Sequence, residues 1–140
     1  MKITRPLNLV LILVGAAICA LGLNVGLGGI NTLGWQGLQG FFGITDATAF
    51  ATQDSHVRFL GGLWSGVGGL FVAGCFKLTA LRPVLMALCG IIAVAGLFRF
   101  GGPGGLAMPG AALVRSLAFE LLGFPILALW LDKDRGGLNG

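Results

Sequence analysis

A chain of 140 residues in which only 10% are charged and 56% are hydrophobic is not a water-soluble globule, because soluble domains carry about a quarter charged residues. Its mean hydropathy of +0.94 requires an outer surface that faces lipid. The net charge of +4 does not mark a nucleic-acid binder, since the nine Lys and Arg are scattered singly, with no cluster or stripe.

A hydrocarbon core about 30 Å thick takes about 20 helical residues per crossing. Four apolar stretches approach that length: Leu7–Leu27, Phe59–Phe76, Val84–Phe98 and Leu113–Leu131, the third running on to Phe100. They predict an all-α polytopic membrane protein, a single four-helix domain over residues 1–140 with helices over about 7–27, 56–76, 83–100 and 110–131.

The first helix starts after Pro6 and ends where Gly26, Gly28 and Gly29 interrupt it, with Asn24 near its outer end. Lys2 and Arg5 ahead of an apolar run, with small residues at Ala20 and Gly22, also have the layout of a cleavable signal peptide. Its spanning length favours a retained helix, and Ile18 before Cys19 spoils a lipoprotein-type site. The connector that follows, Ile30–Thr52, is too long for a turn and too apolar for a free tail. Its Trp35, Phe41, Phe42 and Phe50 suit the membrane–water boundary, so a short interfacial segment on the outer face is expected rather than a re-entrant loop.

Asp54 or Ser55 is placed to cap the second helix. Arg58, Gly62, Ser65, Gly66, Gly69 and Ala73 recur every three or four residues and share one face. Gly62 and Gly66 form a GxxxG pair, which lets another helix backbone come close, so this face is expected to be buried. Leu81-Arg82-Pro83 reads as the next turn, with Pro83 opening the third helix. That helix ends at Arg99, before Gly101-Gly102-Pro103-Gly104-Gly105 and Pro109. No strand precedes these glycines and their spacing is not GxGxxG, so they do not make a phosphate loop. In the fourth helix Ala112, Ser116, Glu120 and Gly123 share a small, polar face, and Pro125 is expected to bend the helix just beyond it.

The basic residues set the orientation. Lys2, Arg5, Lys77, Arg82, Lys133 and Arg135, six of the nine, fall on one side of the four spans, while the connector from Gly28 to Ser55 has none. The positive-inside rule makes that side cytoplasmic, with both termini inside and neighbouring helices antiparallel. Cys19, Cys75 and Cys89 lie within apolar spans without CxxC spacing and read as small packing residues. One histidine without a second nearby ligand makes no metal site.

One constellation is left for chemistry. Arg58, Arg99 and Arg115 fall near the outer ends of spans, with Asp54 and His56, while Glu120 lies deeper. An ionised group near the bilayer centre costs about 2.5–3.5 kcal/mol even on the mildest scale, so Glu120 must be paired or protonated. Helical side chains lean toward their own N-terminus. In antiparallel spans Arg99 therefore leans down into the membrane and Glu120 leans up toward it, which makes them the expected pair. Arg58 is a second donor, and Arg115 and Ser116 stand beside the site.

Asp54-Ser55-His56-Val57-Arg58-Phe59-Leu60-Gly61-Gly62-Leu63-Trp64, the run Phe98-Arg99-Phe100-Gly101-Gly102, and Glu120 with Pro125 downstream together resemble the bacterial membrane proteins grouped as domain of unknown function 4345. In that pattern Arg58, Gly61 and Gly62 open the second helix, Arg99 and Arg115 supply the basic positions, and Glu120 is the acidic residue of the fourth. The resemblance implies four membrane helices and a cell inner-membrane location, and brings no reaction or substrate. The expected role is a non-enzymatic accessory or structural membrane component, meeting lipid and a protein partner or second copy through its glycine-rich faces. It needs no cofactor or metal. The alternative is a small-molecule-binding or transport protein with an outward-facing polar site at Arg58, Arg99 and Glu120. An enzyme ranks last, because no nucleophile–base pair can be named.

Overall fold

The computed structural model describes residues 5–36, 46–101 and 111–136, and every regular element among them is helical. Helix α1 is Arg5–Gly28, followed by a 3-10 segment Gly29–Gln36; α2 is Ala47–Phe76 and α3 is Leu78–Phe98, with a 3-10 turn Arg99–Gly101. Helix α4, Ala111–Ala118, passes through a π-helical stretch, Phe119–Gly123, into α5, Phe124–Gly136. Four of the described helices are long and apolar enough to cross a bilayer: Pro6–Thr32, Ala47–Phe76, Leu78–Phe98 and Val114–Asp134. Large apolar side chains lie bare along them, Leu27 and Phe98 being 77% and 79% exposed, which fits a surface solvated by hydrocarbon. The chain divides into two compact units, Asn8–Phe76, and Met1–Leu7 with Lys77–Gly140.

In the first unit α2 starts at Ala47 rather than near residue 56. Asp46 is the reason: its Oδ2 accepts the Ala49 N–H at 2.8 Å and its carbonyl accepts the Phe50 N–H at 2.9 Å. Asp54 and Ser55 therefore sit inside the helix instead of capping it. The added turns carry Thr48, Thr52 and Gln53, too polar to register as a span, and bring α2 to about 45 Å, longer than the hydrocarbon core. Part of the expected interfacial segment is the 3-10 turn Gly29–Gln36; Phe41 and Phe42 lie outside the described residues.

Helices α1 and α2 run antiparallel with their backbones in contact. A Cβ on Gly15 would stand 2.8 Å from Gly68 O and the Val72 backbone, one on Gly22 2.5 Å from Ser65 N, and one on Gly68 2.5 Å from Cys19 N. Gly61 faces Gly26 in the same way. One weaker link crosses this seam, Cys19 Sγ donating to Ser65 O at 3.4 Å, while Ser65 Oγ turns back along α2 to Gly61 O at 2.9 Å. The expected seam was one residue off. Gly62, Gly66 and Gly69 are exposed, with nothing within 4 Å of where a side chain would begin. Gly61-Gly62 and Gly68-Gly69 are doublets, so spacing alone allows either register. Gly61 and Gly68 keep the seven-residue step from Gly15 to Gly22, but so do Gly62 and Gly69, and only the rotation of α2 against α1 turns the first pair inward.

In the second unit α3 begins at Leu78, one residue after Lys77, whose carbonyl accepts the N–H groups of Ala80 and Leu81. Pro83, expected to open the helix, is its sixth residue. The buried stripe explains this: Leu78, Arg82, Leu85, Cys89, Ile92 and Gly96 alternate steps of four and three. Leu78 and Arg82 belong to that stripe, so helix formation before the proline buries them. Leu117, Glu120, Leu127 and Leu131 are the buried residues of the chain that returns against it. Pro125 acts one turn earlier than a simple bend. The Phe124 N–H bonds to Phe119 O, five residues back, and Pro125 has no N–H to continue the regular ladder.

Candidate functional site

Glu120 sits in the π-helical stretch and is only 8% exposed. Arg99 Nη2 donates to its Oε1 at 2.7 Å, and Ser116 Oγ donates to the same oxygen at 2.9 Å from one turn earlier. The other oxygen, Oε2, is buried and has no hydrogen-bond partner among the described residues. An unmet buried acceptor of this kind costs about 1–3 kcal/mol. Gly96 makes the fit between the helices, since a Cβ there would come within 2.9 Å of the Glu120 Cβ and 3.2 Å of Oε2. The Arg99 side chain is 43% exposed, so the pair has one buried and one open member.

A second ion pair closes the opposite end of this unit. Arg82, 8% exposed, places Nη2 3.3 Å from Asp134 Oδ2. Sequence reasoning missed it, treating Arg82 as a topology signal. A clue was present: Arg82 continues the stripe of Leu85, Cys89 and Ile92, and Asp134 follows Leu131 by three residues, so both fall on core faces. Arg82 and Arg99 are separated by about 25 Å of helix, so the two pairs clamp both ends of one seam.

Arg58 belongs to a separate polar group in the first unit. Its Nε meets Asp54 Oδ2 at 2.6 Å one turn earlier, and Asp54 Oδ1 accepts the Ile30 N–H at 2.9 Å. Arg58 Nη1 donates to the carbonyls of Leu27 and Gly26 at the end of α1. Those carbonyls have no partner within their own helix, and the guanidinium supplies it. Gly29 takes the left-handed conformation, φ +66°, that turns the chain out of α1, and a side chain there would run into Asp54 and Arg58. Arg58 and Asp54 thus cap α1 from a neighbouring helix.

The structure therefore joins Arg99, Glu120 and Ser116, and joins Arg58 to Asp54. Arg115 and His56 are exposed on α4 and α2. A shallow recess on the first unit is lined by Ala20, Leu21, Asn24, Asn31 and Thr32 and includes none of these arginines. Among the described residues no group of three or more His, Cys, Asp or Glu could hold a metal ion.

Described residues whose regular elements are all helical, with four helices suited to a bilayer among them, buried ion pairs and glycine-lined seams, have the make-up of a multi-pass membrane protein. The chain belongs to the family described as Domain of unknown function (DUF4345), which matches it over residues 6–131. No curated protein and no solved structure matches it.

Proposed function

We propose that this protein is a non-enzymatic component of the cell inner membrane, one domain of four antiparallel spans with both termini cytoplasmic. Its buried charges hold helices in register. The observation that carries this reading is that Arg82 and Glu120, both on buried stripes, each find an opposite charge on the facing helix of their own unit. Such pairs specify register better than they stabilise. The singly placed basic residues, six of nine on one side, support the orientation. Exposed Gly62 and Gly66 offer a flat strip for a protein partner or a second copy, where another helix backbone can lie close.

Glu120→Gln and Arg99→Leu test the role: both should lower detergent-solubilised yield and melting temperature. A Glu120→Gln variant as stable as wild type and as well expressed defeats it. Reporter fusions at the C-terminus, one fluorescent only in the cytoplasm and one active only outside, test the orientation. Extraction in mild detergent should bring out a complex larger than one chain.

A second reading, a small-molecule-binding or transport protein with an outward-facing polar site, is favoured by one observation. Glu120 has an unpartnered buried oxygen next to an arginine that is nearly half exposed. Arg58 is committed to Asp54 and the end of α1, so this reading rests on Arg99 and Glu120.

A further inference from the structure

Both donors that reach Glu120 go to one oxygen. Arg99 Nη2 and Ser116 Oγ converge on Oε1, while Oε2 is buried without a donor among the described residues. A carboxylate spreads its charge equally over two oxygens, and leaving one bare in apolar surroundings is unfavourable. A neutral carboxylic acid is asymmetric in this same sense: its carbonyl oxygen accepts hydrogen bonds and its hydroxyl oxygen carries the proton. A proton added at Oε2 leaves both donors on Oε1, though the bond from Arg99 then loses the charge of its acceptor.

The groups around Glu120 determine what that proton does. Arg99, at the end of α3, is the cation that faces it. Ser116 on α4 is uncharged, and Arg115 beside it is exposed. Cys89 lies seven residues before Gly96 on the same α3 stripe, and Arg82 with Asp134 closes the far end of the seam. With Glu120 ionised, the pair is neutral. With Glu120 protonated, Arg99 is left as an uncompensated cation, 43% exposed, whose Nε and Nη1 have no acceptor among the described residues. A planar guanidinium edge of this kind binds carboxylates and phosphates.

We infer that Arg99 and Glu120 form a proton-coupled oxyanion site, in which Glu120 takes one proton onto Oε2 as a carboxylate or phosphate group seats on the free edge of Arg99. The charge balances: one proton and one anionic charge enter together, and the site stays neutral overall. The proton comes from hydronium or a buffer acid in the bulk solution, whose bond to it breaks as the Oε2–H bond forms, leaving water or the buffer base; no other covalent bond changes. This inference rests on the binding-site reading of the pair.

The test uses the full chain in lipid nanodiscs, with acetate and inorganic phosphate as probes. Calorimetry in buffers of different ionisation heat reads the protons taken up per anion. Wild type should take up about one, with affinity falling about tenfold per pH unit wherever uptake is complete. Glu120→Gln, which resembles the neutral acid, should bind acetate without proton uptake and independently of pH. Arg99→Gln should not bind. Acetate binding by wild type with no proton uptake overturns the coupling and leaves the binding site standing. Failure of both wild type and Glu120→Gln to bind either probe overturns the site itself. An infrared difference spectrum of wild type, with isotope-labelled acetate, needs no variant: a new neutral carboxyl band on loading supports the inference and its absence overturns it. Discs containing phosphatidylglycerol separate the sources, since loss of acetate binding there assigns the oxyanion to a lipid headgroup, and undiminished binding assigns it to a free solute.

Discussion

Arg82 and Asp134, 52 residues apart, meet at 3.3 Å on the seam between α3 and α5, and the arginine is buried there among leucines. A second pair, Arg99 with Glu120, closes the other end of the same seam. A slip of one heptad displaces both partners by about 10 Å and separates both pairs at once. The two contacts act together as a register lock.

Removing one member leaves a buried charge without compensation. Arg82→Leu removes the charge with its partner nearer water, whereas Asp134→Asn strands the guanidinium inside. Asp134→Asn should therefore cost more, about 3 kcal/mol, as a lower midpoint of unfolding in mixed detergent micelles. The exchanged pair Arg82→Asp with Asp134→Arg should recover part of that loss. Equal stability of Asp134→Asn and wild type contradicts the lock.

The two glycine registers on α2 separate cleanly. Gly61→Ala and Gly68→Ala place a methyl group against the α1 backbone and should destabilise the protein by about 1–3 kcal/mol. Gly62→Ala and Gly66→Ala meet open space and should be neutral or gain about 0.5–1 kcal/mol from helix propensity. Melting temperatures of the four variants in one detergent give the comparison. If Gly62 and Gly66 touch a partner chain, their alanine variants will instead lose the larger complex while the isolated chain stays stable.

The end of α1 depends on three residues from different places in the chain. Asp54→Ala removes the acceptor for the Ile30 N–H and the partner that aims Arg58. Hydrogen exchange at Ile30 should quicken about tenfold, as for loss of about 1.4 kcal/mol of protection, with little change in the middle of α1. Gly29→Ala should show a similar local effect, because alanine is strained at φ +66°.

Ser116 and Arg99 share one oxygen of Glu120 but contribute unequally. Ser116→Ala removes a neutral hydrogen bond and should cost about 1 kcal/mol. Arg99→Leu strands the carboxylate and should cost more, with the additional change Glu120→Leu restoring most of the stability. A double-mutant cycle read by thermal unfolding measures the difference.

Much of this was legible along the chain. Low charge and four long apolar runs dictate helices in lipid, since no other open structure satisfies backbone groups there. The need of Glu120 for a cation followed from the cost of a buried charge, and the lean of helical side chains pointed to Arg99. The start of α2 was not legible, because Asp46 caps a polar helical extension that hydropathy passes over. Nor was the role of Arg58, which turns on the carbonyls ending α1 rather than on a carboxylate in the membrane.

Composition and apolar run length thus determined the solvent, the secondary structure and the requirement that each interior charge be met, because these depend on transfer energies that each residue carries with it. Only the packed chain decided which of two adjacent glycines faces α1, that Arg82 meets Asp134, and that both donors to Glu120 choose Oε1. Those outcomes depend on rotation and axial offset between helices. A turn of about 100° per residue separates alternatives whose sequence patterns are the same.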